Sequence, residues 1–202
     1  MAKGNEQKFE KLSLSASEML ELTLLTNEIL ADEKTVDKYK LRNANALARA
    51  KSLVMYKNGI TKLRVSIKRL QKNALEAYDH SLALSGNIQL GRGEMQLPGT
   101  DAHHIVSRTH EKAVLSRDIL FGWRIGIDDA DNGVFLPAER GANIPGLEKA
   151  NVHDPIHTKF YHLTVATRLQ GRSAEGPSAG REELRSMRED MIAGVFPYQE
   201  AR

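Results

Sequence analysis

The sequence predicts a mainly helical α+β chain: a helical first half, then a smaller region where short strands and helices alternate. Three observations carry that prediction. Residues 13–85 contain no proline and one glycine, and their apolar residues recur at helical spacing. Past Gly86 the composition shifts to segments punctuated by glycine and proline, with brief apolar runs between them. Six of the seven histidines then fall between positions 103 and 162, so the second region is where side-chain chemistry is concentrated.

The bulk numbers set limits on function. A chain of 202 residues can bury a sizeable core as one domain or two small ones. No apolar run is long enough to cross a bilayer, so membrane insertion is not expected. The polar start lacks the apolar stretch of a secretory signal, which places the newly made chain in the cytoplasm. With no cysteine there is neither a disulfide nor a thiolate metal site, and any metal must rely on His, Asp, Glu, Asn or water. The net charge is only +3, but from Lys34 to Lys72 there are twelve Lys or Arg and a single acid, Asp37. Such a stripe attracts phosphate backbone or an acidic protein, and it equally describes the solvated faces of two helices.

Element by element, Ser15 is placed to cap a first helix with Glu18 completing a capping box, and Met19, Leu22, Leu25 and Ile29 form its apolar face. A second helix is expected over 35–56, with Leu41, Leu47, Leu53 and Val54 facing a core and Lys57-Asn58-Gly59 as its stop. A third is expected over 60–84, carrying Leu63, Ile67, Leu70, Ala74 and Leu75 and ending at Ser85-Gly86. Three helices with short turns predict an antiparallel helical hairpin or bundle. The domain boundary is expected near residue 90, giving a basic helical domain at 1–90, a histidine-rich core at 91–170, and a tail at 171–202. In that tail the glycine- and serine-rich stretch 171–180 reads as a flexible linker before a short helix near 181–192.

Within the histidine-rich region, residues 102–106 read as a brief strand bearing the pair His103-His104. Residues 111–123 have helical character, with Val114, Leu115, Ile119 and Leu120 along one side. Residues 126–133 are dense in turn formers and lead into a strand, Val134-Phe135-Leu136, closed by Pro137. After an irregular stretch, Asp154 caps a helix with Pro155 at its first position, running to about Gln170. His157 then lies in the first turn and His153 just ahead of the cap. A strand pair and helix of this kind can gather His103, His153 and His157 around one divalent ion and leave positions open for water and phosphate, as catalytic sites do. His104 is one residue along an extended strand, so it points the other way and is placed to act on a water. Isolated histidines are usually structural, and His80, His110 and His162 are read that way.

The segments Gly99-Thr100-Asp101-Ala102-His103-His104-Ile105-Val106, 126–137 and 153–161 together resemble the AHH nuclease family, a branch of the HNH/endonuclease VII superfamily found mostly as toxin domains. The resemblance covers about residues 98–170. It implies a ββα-metal, treble-clef-like core and metal-dependent cleavage of nucleic acid, usually DNA with little sequence preference. By position, His103, His157 and His153 resemble the metal ligands, with His162 a substitute, and His104 resembles the general base. Asn132 resembles the asparagine that holds the base or its loop. Arg108, Arg124, Arg140 and Lys159 are candidates for phosphate contacts by proximity in sequence. Imidazole ligands suit zinc, nickel, cobalt or manganese, and magnesium serves where phosphate adds oxygens. The implied partners are DNA, a cognate immunity protein, and a secretion-system component or chaperone delivering the protein to a target cell's cytoplasm. Two other readings share the same residues: a zinc-stabilised nucleic-acid-binding module without cleavage, and an HNH endonuclease of a phage or mobile element.

Overall fold

A computed structural model describes residues 36–199, so the expected helix capped at Ser15 lies outside the described residues. What is described is mainly helical with two small antiparallel sheets of two strands each. Among the described residues no helix is long and apolar enough to cross a membrane.

Helix α1 (Val36–Met55) runs into a tight hairpin, β1 (Tyr56–Lys57) and β2 (Ile60–Thr61). Asn58 and Gly59 turn it at φ 50° and 73°. Positive φ at both central residues is what a two-residue hairpin requires, so the expected helix stop is in fact a strand reversal. Glycine is needed at 59 for a second reason: a Cβ there would lie 2.0 Å from the Asn87 carbonyl oxygen.

The single helix expected over 60–84 is two helices, α2 (Ile67–Leu75) and α3 (His80–Arg92). Each has its own side-chain cap. Ser66 accepts from the Arg69 N–H at 3.2 Å, and Asp79 accepts from the Leu82 N–H at 2.9 Å. These local bonds restart the helix twice where apolar periodicity alone reads straight through. Nor does α3 stop at Ser85-Gly86; it runs on to a left-handed cap at Gly93. Leu63 and Leu75, expected to face the core, are 95% and 77% exposed, while Leu70 and Ala74 are buried.

Strand β3 (Thr100–His104) pairs antiparallel with β4 (Gly133–Pro137), placing His103 opposite Val134 and His104 opposite Gly133. Between them lie a 3₁₀ turn (Glu111–Ala113), α4 (Val114–Gly122) and a second 3₁₀ turn (Ala130–Asn132). Val114 and Leu115 are about half exposed, contrary to the expected apolar side, whereas Leu120, also expected there, is buried together with Phe121. Ala102 and Phe135 pack against Leu84 and Ile88 of α3. Gly133 allows that approach, since a Cβ there would meet the Leu84 side chain at 2.6 Å.

The helix expected over 154–170 is also divided. A single turn, α5 (His153–Ile156), ends at His157, and α6 (Lys159–Arg172) opens on Thr158, whose hydroxyl accepts from the Tyr161 N–H at 3.0 Å. The stretch 171–180 is no linker. After a 3₁₀ turn (Ser173–Glu175), α7 (Pro177–Ile192) begins with proline at its first turn, the place proline favours. Ala179 and Gly180 are buried, and a Cβ on Gly180 would press to 2.4 Å from the Trp123 ring. Small residues there serve close packing rather than flexibility.

The main core draws on Met55, Tyr56 and Leu70 from one side of the expected boundary near residue 90. From the other side come Ile105, Leu120, Ile127, Val134, Tyr161, Leu184 and Met191. Packing therefore does not divide the chain there; α3 is built into the second region.

Candidate active site

Strand β3 presents its two histidines to different surroundings. His103 is fully buried, and its Nε2 lies 2.8 Å from the Tyr161 hydroxyl, which itself donates to the Ile105 carbonyl at 2.7 Å. Because that hydroxyl hydrogen is spent, the His103 Nε2 must be the protonated nitrogen, donating to the tyrosine oxygen. Its Nδ1 therefore holds a bare lone pair, and this buried atom has no hydrogen-bond partner.

The rings of His157 and His153 stand 4.8 Å and 5.2 Å from that of His103. One nitrogen from each of the three lies within 4.8 Å of the others, and His162 is not part of this group. The break between α5 and α6 makes the arrangement possible: His153 opens one helix and His157 sits in the joint, so both turn toward β3. The Asp101 carboxylate, at 3.1 Å, accepts the Nδ1–H of His153 and leaves Nε2 as its lone-pair nitrogen. Burial, then the neighbouring His157, His153 and His104, hold the His103 pKa well below the ordinary imidazole value. Burial and the same crowding lower His157. Three imidazoles gathered this closely, one with a buried nitrogen that has no hydrogen-bond partner, fit a divalent metal ion.

His104 meets a different partner. Its Nε2 lies 2.9 Å from Oδ1 of Asp128, whose carboxylate is fully buried. The carboxylate accepts, so His104 carries its proton on Nε2 and keeps Nδ1 free to take one. Burial pushes Asp128 up, yet hydrogen bonds and charge from His104 and His80 outweigh it and hold the carboxyl below its ordinary value. A carboxylate that orients an imidazole and leaves its other nitrogen free is an arrangement able to accept a proton.

The hydrogen bonds of the Asn132 side chain go to Val106 and Ile127, not to the His104 ring. That side chain accepts from the Val106 N–H at 2.8 Å and donates to the Ile127 carbonyl at 2.8 Å, pinning the exit of β3 to the 126–133 loop. The same loop is held from behind. Arg181 of α7 reaches Asp129 and Asp131 at 2.9 Å and 2.6 Å, and Arg185 reaches Asp131 at 2.9 Å. Asp129 also accepts from the main chain and hydroxyl of Thr61. Of the expected phosphate contacts, Arg108 and Arg124 each commit an N–H to a carbonyl, of Ala74 at 2.9 Å and Val65 at 3.2 Å. Arg140 and Lys159 are exposed. His110 stacks on His162, ring centroids 4.0 Å apart, and burial with the charges nearby lowers His162 to about 4.

Sequence reasoning passed over Asp128 and the roles of Tyr161 and His80. A signal was present for Asp128: three acids in 126–133 sit among Ile125, Ile127 and Val134, and carboxylates in apolar surroundings need partners.

No curated protein and no solved structure matches the chain. The model of a nuclease family of the HNH/ENDO VII superfamily with conserved AHH matches residues 86–192, more than half of the chain and the span holding the histidine triad, His104 and Asp128. The first histidine of the conserved pair belongs to the three-histidine cluster and the second is tied to Asp128, and the chain belongs to this AHH family of phosphodiester-hydrolysing nucleases.

Proposed function

We propose that the chain is a metal-dependent endonuclease that cuts DNA with little sequence preference and acts as a bacterial toxin or effector. The observation that carries the reading is the division of labour on β3: His103 offers an unsatisfied buried lone pair to a three-imidazole cluster, and the adjacent His104 is tied to a carboxylate. A purely structural metal site closes its coordination with four protein ligands, whereas this cluster has three among the described residues. That contrast favours catalysis over a binding module. We read the β3–β4 pair with α5, which His153 opens and His157 ends, and α6 as a ββα-metal unit.

In this reading His103, His153 and His157 hold the ion. When bound, it supplies Lewis-acid stabilisation of the charge that grows on the phosphate and on the leaving oxygen. Nδ1 of His104 takes a proton from water, and the water oxygen attacks phosphorus in line. The bond to the 3′ oxygen then breaks, and that oxygen takes a proton from solvent water, leaving 5′-phosphate and 3′-hydroxyl ends. Asp128 keeps the Nε2–H aimed as the imidazole becomes charged. Tyr161 fixes the ring of His103, and Asn132 fixes the chain immediately after the pair. Arg140 and Lys159 are the phosphate contacts this reading favours, Lys159 lying two residues beyond His157.

Incubating the protein with supercoiled plasmid across magnesium, manganese, zinc and nickel, with and without EDTA, tests the reading. Relaxed and linear DNA that EDTA abolishes is the expected result. Cleavage of an RNA substrate but not the plasmid would replace DNA as the target. Toxicity on expression in bacteria, relieved by a neighbouring immunity gene, tests the effector role and its expected partner.

The exposed Lys57, Arg64, Lys68 and Lys72 support a DNA-gripping face in the first half. Neutralising all four lowers the slope of log affinity against log salt, by about 0.9 for each phosphate they would otherwise neutralise. An unchanged slope points instead to docking by a secretion component or chaperone.

A further inference from the structure

His80 lies outside the family match, and nothing in the sequence marks it, yet it is tied to the same carboxylate as His104. It is buried at the start of α3, 5% exposed. Its Nδ1 stands 2.9 Å from both Asp128 oxygens, and its Nε2 stands 3.1 Å from the Glu76 carbonyl oxygen. A carboxylate and a carbonyl can only accept. Both ring nitrogens must therefore donate, which only the imidazolium does. The Tyr78 hydroxyl donates to Asp128 at 2.5 Å, and its ring lies 3.9 Å from that of His80. Asn73 donates to the Tyr78 oxygen at 2.9 Å and fixes that donor in turn.

We propose that His80 is a positioning residue of the nuclease site: an imidazolium that neutralises and anchors the buried Asp128, which thereby aims His104. A fully buried carboxylate without a cation is strongly disfavoured, and His80 supplies that cation. His80 Nδ1 bridges both Asp128 oxygens and Tyr78 donates to Oδ2, which fixes the carboxylate with Oδ1 at His104 Nε2. The proposal rests on the nuclease reading of His104, and its test separates the two.

Full-length, metal-free protein labelled with ¹⁵N at histidine gives the protonation pattern directly. The expected spectrum at neutral pH has protons on both nitrogens of His80 and on Nε2 alone of His104; an unprotonated nitrogen on His80 overturns the proposal. Two variants carry the functional arm. His80→Leu removes both donors, and His80→Asn keeps a donor near the Nδ1 position without the charge. Cleavage kcat falls about tenfold to a hundredfold in His80→Leu, less than losing the base itself, with His80→Asn partly rescued and KM and metal affinity moving by no more than about twofold. Loss of the Nε2–H signal of His104 accompanies the fall in kcat. Unchanged kcat in folded His80→Leu overturns the assignment, as does a parallel loss of kcat, KM and metal affinity, which marks a merely structural role. If His80→Leu does not fold, His80→Asn and the wild-type spectrum decide. A wild-type protein that cuts neither DNA nor RNA refutes the nuclease reading, and the ring-proton pattern then decides on its own whether His80 anchors Asp128.

Discussion

His103 and His104 are neighbours on one strand, and their surroundings are opposite in kind. On the His103 side a nitrogen is left unmade: its Nδ1 is buried and unpaired, and His153 and His157 turn toward it. On the His104 side the carboxylate it is tied to is filled: Asp128 accepts from His104, from His80 and from Tyr78. A site meant for an ion must carry unsatisfied lone pairs until the ion arrives, whereas a base that must fire in one direction is best held by a saturated network. The alternation of a strand separates these two requirements by a single residue.

Mutating each side breaks the comparison most sharply. His103→Ala abolishes both metal binding and cleavage, the largest effect expected. His104→Ala leaves metal affinity intact and lowers cleavage by about 10²–10⁴-fold. Parallel calorimetry and plasmid nicking read both, and wild-type cleavage by His104→Ala would refute its role as base. Asp128→Asn comes next, lowering kcat through the misdirected His104 while a metal titration stays near wild type. Tyr161→Phe acts on the other face. It removes the acceptor for His103 Nε2–H and weakens metal binding about tenfold. It also costs about 1 kcal/mol of stability from the missing hydrogen bonds, measurable in urea melts. Asp101→Asn should be mildest, a few-fold in metal affinity, because Asp101 is exposed.

Acid distinguishes the faces by a different route. His103, His157 and His162 have folded pKa values below the unfolded imidazole value, His162 at about 4. Between about pH 6.5 and about 4 the unfolded chain therefore binds more protons, and the stability of the metal-free protein falls as pH falls. Asp128 and Asp131 are depressed carboxylates, so their contribution is present above the unfolded carboxylate value and is lost at still lower pH. Thermal melts followed by circular dichroism from pH 7.5 to pH 3.5 should show that two-stage loss. A flat melting temperature down to pH 5 would contradict the buried neutral imidazoles.

Much of the triad face was legible because its cues are local: an adjacent pair on a strand, and a His-x-x-x-His around a proline at a helix start. The network around His104 was not, because Asp128, His80 and Tyr78 meet only after α3 has packed against the β3–β4 pair. Helix ends showed the same limit. Apolar spacing ran through residues 60–84, but Ser66 and Asp79 cap new helices there, and the loose composition of 171–180 hid a close contact with Trp123. Composition reports what a segment tolerates; a packed partner decides what it does.

The clamp from α7 onto the 126–133 loop bears on when that loop can be held. Asp129 and Asp131 are buried with Arg181 and Arg185 as their counter-ions, some fifty residues further along the chain. During synthesis the loop that bears Asp128 emerges first, with two carboxylates it cannot yet bury without cost. Those carboxylates gain their counter-ions only once α7 has been made, so a chain that ends before α7 is expected to hold this loop poorly.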